Sequence, residues 1–566
     1  MKSPKFRLLL FSLLSGVILS LGWPERGVPL LLFFGLAPML LIEEQIYREP
    51  GRFRRFSLML YTYPGFFLWN LLTTWWIVNS TFIGALLAIV LNALFMTIVF
   101  QAFHWTRKKL RNDLAGYAAL LSYWIAFEYL HLNWDLNWPW LNLGNGFATW
   151  YKCVQWYEYT GALGGSIWIL VGNILVVLLT GKIKDQRSKI KNTDQNSTPR
   201  NLSLLRSSVF DIHYSLFLFS WIAVPILLSF LIYYTYHEEK RPVNFVVVQP
   251  NLDPYSEQYV VPPAQVIGRI MELAGPQLDP NVNFLVAPES AIQEDMWEND
   301  LAPFASIKLL KDAIAPWPKL NLLIGASTFY QLMPGEKRER WARRFTDTQN
   351  YYNAYNAAIL FNSRDPLQLY HKSKLTPGVE ILPSFGKLKF IEKYAIDLGG
   401  TVGSLGMDAE RKVYTTVGTV KAGPAICYES IFGEFFAKFV RNGAEIMIII
   451  TNDGWWGNTA GHRQHYSFAH LRAIETRRGI ARSANTGISA FIDQRGDARQ
   501  ATGYWVPAAI KGTLNANDKL TFYVKHGDYL ARFLSYLAGV LFMASFVFSV
   551  KQRFFKKSQK SANPDK

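Results

Sequence analysis

Seven apolar runs follow one another through the first 236 residues, and they constrain the fold more than any other feature of this sequence. They lie at about 8–22, 28–43, 57–78, 82–104, 114–131, 160–180 and 213–235, with an eighth, isolated, at 528–550. Each approaches the length of a membrane-crossing helix. The stretch LLAIVLNALFMTIVF carries no charge. Seven such runs with only short polar gaps exceed what the buried helices of a water-soluble core require. Lys2, Lys5 and Arg7 precede the first run as in a signal peptide. No small-residue cleavage site follows it, so the run is expected to be retained. A composition of 50% hydrophobic and 15% aromatic residues excludes a disordered chain. Two cysteines exclude a disulfide framework and a four-cysteine zinc site.

The chain carries a formal charge of +17, from 59 Lys and Arg against 42 Asp and Glu. By itself that excess would suggest a nucleic-acid partner. Its distribution points elsewhere. Segments 1–7, 43–56, 105–113, 181–207 and 551–566 hold 24 basic and seven acidic residues, which is the whole excess. The alternate connections 23–27, 79–81 and 132–159 hold only Arg26 and Lys152. This is the positive-inside pattern. It predicts eight spans, both termini in the cytoplasm, no nucleic-acid partner, and an outward-facing segment between spans seven and eight.

The expected organisation is a membrane domain at 1–236, an outer domain at 237–527, and an eighth span with a basic cytoplasmic tail at 528–566. Segment 181–207 is polar and free of aromatics, and reads as a flexible cytoplasmic linker. Segment 132–159 is dense in Trp and Tyr, and reads as a surface-lying or re-entrant segment on the outer side. In the outer domain, short β-branched runs at 244–252, 283–290, 321–328, 357–362, 421–430, 445–453 and 487–496 read as buried strands. Helical stretches such as 431–441 and 463–483 separate them, which predicts an α/β domain.

Three strand ends carry reactive side chains. Cys427 ends an apolar run and precedes a helical stretch, where backbone N–H groups favour a thiolate and can hold an oxyanion. Glu289 ends the run Phe-Leu-Val-Ala-Pro, where partial desolvation suits a general base. Lys372 can supply positive charge to an oxyanion. His462, His465 and His470 lie close together but share no helical face and have no interleaved carboxylate, so no metal is expected. Cys153 and Cys427 are expected to be free. The arginines and glutamate of RAIETRRGIAR (472–482) read as a salt-bridged helix that anchors the Cys427 loop. The basic segment 336–345 reads as solvated surface or an attractor of anionic headgroups.

Taken together, Glu289 in APES, Lys372 in YHKSKLTPGVE and Cys427 in AICYES resemble the Glu-Lys-Cys triad of the nitrilase, or carbon–nitrogen hydrolase, superfamily. The stretch 451–496, containing NDGWWG, is similar to that superfamily too. A nitrilase-like domain between spans seven and eight looks like the apolipoprotein N-acyltransferases within it. GLAPML (35–40) and NWPWLNLGN (137–145) resemble that family's membrane motifs.

The resemblance implies a polytopic helical membrane bundle joined to an α-β-β-α sandwich. It implies that Cys427 is the nucleophile, Glu289 the base and Lys372 the oxyanion stabiliser, with Glu380, Tyr428, Glu429 and Trp455 supporting the site. The implied reaction is ping-pong transfer of an acyl chain from a phospholipid, through a cysteine thioester. The acceptor is the α-amine of the diacylglyceryl-cysteine at an apolipoprotein N-terminus. No cofactor or metal is implied, and a monomer in the bacterial inner membrane with a periplasmic catalytic domain is expected. The chain departs from the family at LTPGVE (375–380), where Leu-Val-Pro-Phe-Gly-Glu is usual. That puts an aromatic lipid contact of this loop in question. The competing reading is a membrane-tethered amidase that hydrolyses a small amide with the same triad. A closed polar pocket would favour it, and an open, lipid-accessible one would favour acyl transfer.

Overall fold

The computed structural model describes residues 4–25, 27–193, 200–362, 366–381, 404–418 and 420–562. All eight apolar runs are helical. The first seven are α1 (Pro4–Leu21), α2 (Pro29–Arg48, with a 3-10 first turn), α3 (Ser57–Thr74), α4 (Phe82–Leu110), α5 (Asp113–Asn133), α6 (Tyr157–Thr193) and α7 (Arg200–Thr235). Among the described residues, five helical segments, including Tyr529–Phe554, are long and apolar enough to cross a membrane. Local chemistry sets the ends of α4. The Thr81 side chain caps its N-terminus by accepting from the Gly84 amide, Arg107, Lys108 and Lys109 occupy its last turn, and Arg111 closes it at φ +51°.

Some charges counted as loop residues are interior. Arg107 is 2% exposed and pairs with Glu43 at 2.5 Å, Glu44 at 2.7 Å and Asp113 at 2.8 Å, while His104 meets Glu43 at 2.8 Å. They tie the ends of α2, α4 and α5 together. Of the expected linker 181–207, residues 194–199 lie outside the described residues; on either side the backbone continues α6 and α7 as helix. Arg26 and residues 563–566 of the basic tail also lie outside them. The middle of the aromatic segment packs inside the protein, while Asn133, Trp150 and Tyr159 stay exposed. It folds as 3-10 turns at Pro139–Leu141 and Leu143–Cys153, and every residue from 139 to 148 is buried.

The α/β domain is built on two sheets. The first contains β1 (Pro242–Gln249), β2 (Phe284–Val286), β3 (Ile292–Trp297), β4 (Asn321–Gln331), β5 (Arg343–Arg344), β6 (Tyr351–Phe361), β7 (Gln368–His371) and β13 (Ala508–Asn515). Its order is β13-β1-β2-β4-β6-β5, with β3 also on β4 and β7 on β6. The second contains β8 (Ala422–Ile426), β9 (Ile446–Thr451), β10 (Ile480–Ala484), β11 (Ala490–Ile492) and β12 (Ala498–Arg499), in the order β12-β11-β10-β9-β8. Strands β1, β2 and β4 run parallel, as do β8, β9 and β10.

Period-two alternation sorts the side chains of β1. Val243, Phe245 and Val247 share a core with Ile446, Ile448 and Phe491 of the second sheet. Val246 and Val248 pack with α8 (Pro263–Ala274) and α9 (Ala305–Ile314) on the other face. Behind the second sheet lie α10 (Gly433–Arg441) and α11 (Ala460–Thr476), followed by the short α12 (Phe522–His526) and the last apolar helix, α13 (Tyr529–Ala562). The layers are therefore helix, sheet, sheet, helix.

The sequence reading of 463–483 as one helix does not hold. Arg477 adopts φ +50°, ends α11, and Ile480 starts β10. The arginines of this stretch then diverge. Arg472 pairs with Glu475 and donates to the Ile431 carbonyl at 2.6 Å, anchoring the Cys427 turn as expected, while Arg477 pairs with Glu158 and Arg482 with Asp453.

Helix α11 is also the joint to the apolar helices. Trp140 Nε1 donates to Gln464 Oε1 at 2.7 Å. A Cβ on Gly461 would lie 2.6 Å from the Trp76 ring, so the close approach there requires glycine.

Candidate active site

The three candidate side chains converge from different strand ends. Cys427 directly follows β8, Lys372 directly follows β7, and Glu289 lies three residues past β2. Carboxyl ends of parallel strands are where open α/β sheets place their sites. The backbone is shaped to bring Glu289 in: a Cβ on Gly325 of β4 would sit 2.6 Å from the Glu289 Cα. Glycine lets the two strands close.

Lys372 is 2% exposed and donates to Glu289 Oε1 at 2.9 Å and to Glu380 Oε1 at 2.8 Å. Burial lowers the lysine pKa, but Glu289, Glu380 and Cys427 outweigh it and hold the pKa well above its ordinary value. Glu380 is the mirror case. Burial raises its pKa, but Lys372, the Thr376 amide and Asn356 bring it below the ordinary carboxylate value. Asn356 bridges the carboxylates, with Nδ2 donating to Glu289 at 2.8 Å and to Glu380 at 3.2 Å. The Asn452 amide donates to the other Glu289 oxygen at 3.0 Å.

Cys427 sits at φ +50°, the left-handed region that disfavours non-glycine residues. The turn is over-determined from below. Glu429 accepts from the Ile426 amide at 2.8 Å, the Ser373 amide at 2.6 Å and the Tyr370 hydroxyl at 2.6 Å, joining the cysteine turn to the lysine loop. His465 Nε2 contacts the Cys427 carbonyl at 3.1 Å, while its Nδ1 faces Asp453 at 2.9 Å. The thiolate expected from a helix N-terminus is not what the surroundings favour. Burial and the Glu289 charge raise the Cys427 pKa, and Lys372 only partly offsets them. Cys427 opens a 3-10 turn, Cys427–Ile431, and α10 follows from Gly433.

A cavity of about 480 Å³ opens onto this cluster. Glu289, Lys372, Glu380, Cys427, Tyr428 and Trp455 all line it, and Glu429 does not. The Tyr428 hydroxyl donates to the Asn137 carbonyl at 2.9 Å, and the Trp455 and Trp456 carbonyls accept from Ser80 and Asn79. The far wall is apolar and belongs to α4 and the aromatic segment, including Leu87, Leu91, Phe95, Trp138 and Trp140. In the loop LTPGVE, Gly378 takes φ +78° and the Thr376 amide holds Glu380 Oε2 at 2.9 Å. The second glutamate is thus held without an aromatic neighbour in the loop.

Several residues of the site escaped the sequence reading. Asn356, Asn452, Asp453, Arg482, Glu298 and Asp408 act through contacts between strands far apart in the chain. His371, next to Lys372, lies between Glu298 at 2.8 Å and Asp408 at 3.0 Å. Burial pulls its pKa down, but these two carboxylates prevail and raise it to about 8. A raised histidine pKa stabilises the fold fully below the unfolded value near 6.5 and loses that contribution as pH rises through 8. Wild-type protein is therefore expected to lose roughly 2 kcal/mol between pH 6 and pH 9 from this group. Thermal unfolding of His371→Asn across that range should lack this component; an unchanged pH dependence would refute the assignment. The three histidines of α11 gather no metal-type ligand set among the described residues. Both cysteines are free.

Residues 15–175 match the family model described as the apolipoprotein N-acyltransferase N-terminal domain, and residues 332–516 match that for carbon–nitrogen hydrolase. The apolipoprotein N-acyltransferase of Chlorobaculum tepidum is 27% identical over 545 residues, covering 94% of this chain and 96% of that protein. That of Geobacter metallireducens is 26% identical over 560 residues, covering 96% and 95%. Over nearly its whole length the chain is similar to apolipoprotein N-acyltransferases. Lys372 and Cys427 fall inside the hydrolase match, while Glu289 precedes it and joins the site through its 2.9 Å contact with Lys372. Among solved structures, Saccharomyces cerevisiae Nit3, of the nitrilase superfamily, is similar at 18% identity and a TM-score of 0.35, over 49% of this chain and 93% of that one.

Proposed function

We propose that this protein moves an acyl chain from a phospholipid to the α-amine of the N-terminal diacylglyceryl-cysteine of apolipoproteins. The observation that carries the reading is the apolar cavity leading from α4 to Cys427. It suits a hydrocarbon chain, each buried methylene contributing about 0.8 kcal/mol, and it is unlike a small-amide pocket. In the first half-reaction Glu289 takes the Cys427 thiol proton as sulfur attacks the acyl ester carbonyl. Lys372, at the centre of the carboxylate pair, faces the developing oxyanion. The C–O bond breaks, the proton passes to the departing lysophospholipid oxygen, and a thioester remains. In the second, the α-amine attacks the thioester, its proton goes to Glu289, the C–S bond breaks and the thiol is regenerated.

Glu380 and Asn356 hold Lys372 and Glu289 in place, Glu429 supports the nucleophile turn from behind, and Tyr428 and Trp455 form cavity wall. The eight helical runs, the basic-loop alternation and the exposed apolar faces of α7 and α13 support eight spans with both termini cytoplasmic. They likewise support the division at 1–236, 237–527 and 528–566, with a periplasmic catalytic domain in a bacterial inner membrane.

Intact mass of the detergent-purified chain after exposure to phospholipid tests the mechanism. Wild type should gain one acyl chain and Cys427→Ala none; an adduct that persists in Cys427→Ala would sink the assignment.

A further inference from the structure

A second cavity, of about 570 Å³, lies on the other side of the lysine loop from the acyl cavity, and Tyr355 borders both. Lys374, Arg411 and Lys438 converge on it. Lys374 Nζ donates to the Leu132 carbonyl at 2.7 Å, at the C-terminal end of α5, and lies 4.9 Å from the Phe432 ring centroid. The Arg411 guanidinium stacks 4.2 Å over Phe435 and donates to the Asp408 carbonyl at 2.7 Å, while its buried Nε has no hydrogen-bond partner among the described residues.

Carboxylates line the cavity too, but each is engaged. Glu339 pairs with Lys337 at 2.8 Å, Asp408 with His371 at 3.0 Å and Lys412 at 2.8 Å, and Glu434 with Arg532 at 3.0 Å. Asp528 accepts from the Tyr523 hydroxyl at 2.8 Å. Among the described residues none of the three cations pairs with a carboxylate. They act on one another instead: burial, then Arg411, then Lys438 lower the Lys374 pKa to about 8. An anion placed among them would relieve that repulsion.

We infer that this cleft binds the phosphate group of a phospholipid, at a site separate from the acyl cavity. Two observations favour a lipid over free phosphate. Phe432, Phe435 and Trp341 give the cleft apolar walls beside the cations. It also opens where the last turn of α5 and the first residue before α13 meet the sandwich, at the ends of two apolar helices. The inference does not depend on acylation of Cys427.

The test uses the full chain in nonionic detergent, in a Cys427→Ala background so that no acyl transfer consumes the probe. Titration calorimetry would compare dihexanoylphosphatidylglycerol, dihexanoylglycerol and inorganic phosphate. Arg411→Gln/Lys438→Gln should weaken the phospholipid by at least about tenfold, the scale of losing charge-assisted hydrogen bonds. It should leave dihexanoylglycerol unchanged. The charge-preserving Lys438→Arg should bind within about threefold of the parent. Lys438 is exposed on α10, so Lys438→Gln alone keeps the fold and should still weaken the phospholipid by about threefold. Equal phospholipid affinity in parent and neutralised variants would overturn the site. Inorganic phosphate binding as tightly as the lipid, with the same sensitivity, would overturn the lipid assignment in favour of free phosphate.

Discussion

Lys372→Met is expected to abolish acyl transfer, by at least about a thousandfold, and to destabilise the α/β domain as well. Removing one preorganised oxyanion donor alone costs about 10² to 10³ in rate. Here the same ammonium also separates Glu289 from Glu380, both bonded to it within 3 Å and both less than 10% exposed. Without it two buried carboxylates share Asn356 with no cation, a loss of about 3 kcal/mol or more. One carboxylate would then hold a proton, its pKa raised above the unfolded value. The variant should therefore recover stability as pH falls and lose it as pH rises, the reverse of a native carboxylate held by a cation. Thermal unfolding at pH 8 and pH 5, with the acyl adduct measured by mass, reads both effects. A variant as stable as wild type at pH 8 would show that the lysine is not the counter-ion described here.

The second large effect concerns a residue outside the triad. Asp453→Ala should cost about 3–5 kcal/mol, because it leaves Arg482 buried without its partner. Arg482 is fully buried and meets Asp453 Oδ2 at 2.7 Å, while Asp453 Oδ1 accepts from Thr451 at 2.7 Å. The Arg482 and His465 charges hold the Asp453 pKa below its ordinary value, against the effect of burial. The same substitution frees His465, which contacts the Cys427 carbonyl, so the strained nucleophile turn should relax and acylation slow. Asp453→Ala/Arg482→Leu should regain much of the stability, since no unpaired charge remains, but not the acylation rate. Chemical denaturation with adduct kinetics for the single and double variants distinguishes the two roles. Parallel recovery of stability and rate would show that the turn needs only a well-packed core.

The seven strand runs read from β-branched clusters all became strands, because buried strands of a two-sheet sandwich are apolar on both faces. Strands β3, β5, β7, β10, β12 and β13 were missed, β10 and β3 for identifiable reasons. β10 (IARSA) carries Arg482, whose charge reads as helix surface in sequence but is neutralised by Asp453 from a neighbouring strand end. β3 (IQEDMW) alternates without apolar weight, since it only edges β4. Likewise Arg107 reads as an orienting loop charge, while three carboxylates bury it.

The sequence alone determines the apolar helices, the α/β segment between the last two, and which side chains have the chemistry for acyl transfer. Those properties live in local composition, where periodicity and residue type suffice. Only the tertiary structure shows which way the Cys427 pKa moves. A cysteine after a strand reads as a thiolate until burial and Glu289 are brought against it. The second cavity is equally invisible in the chain, because Lys374, Arg411 and Lys438 become neighbours only when the lysine loop, the segment before β8 and α10 pack together. Electrostatics depends on distance in space and on the water excluded between groups, and neither is written in the order of the residues.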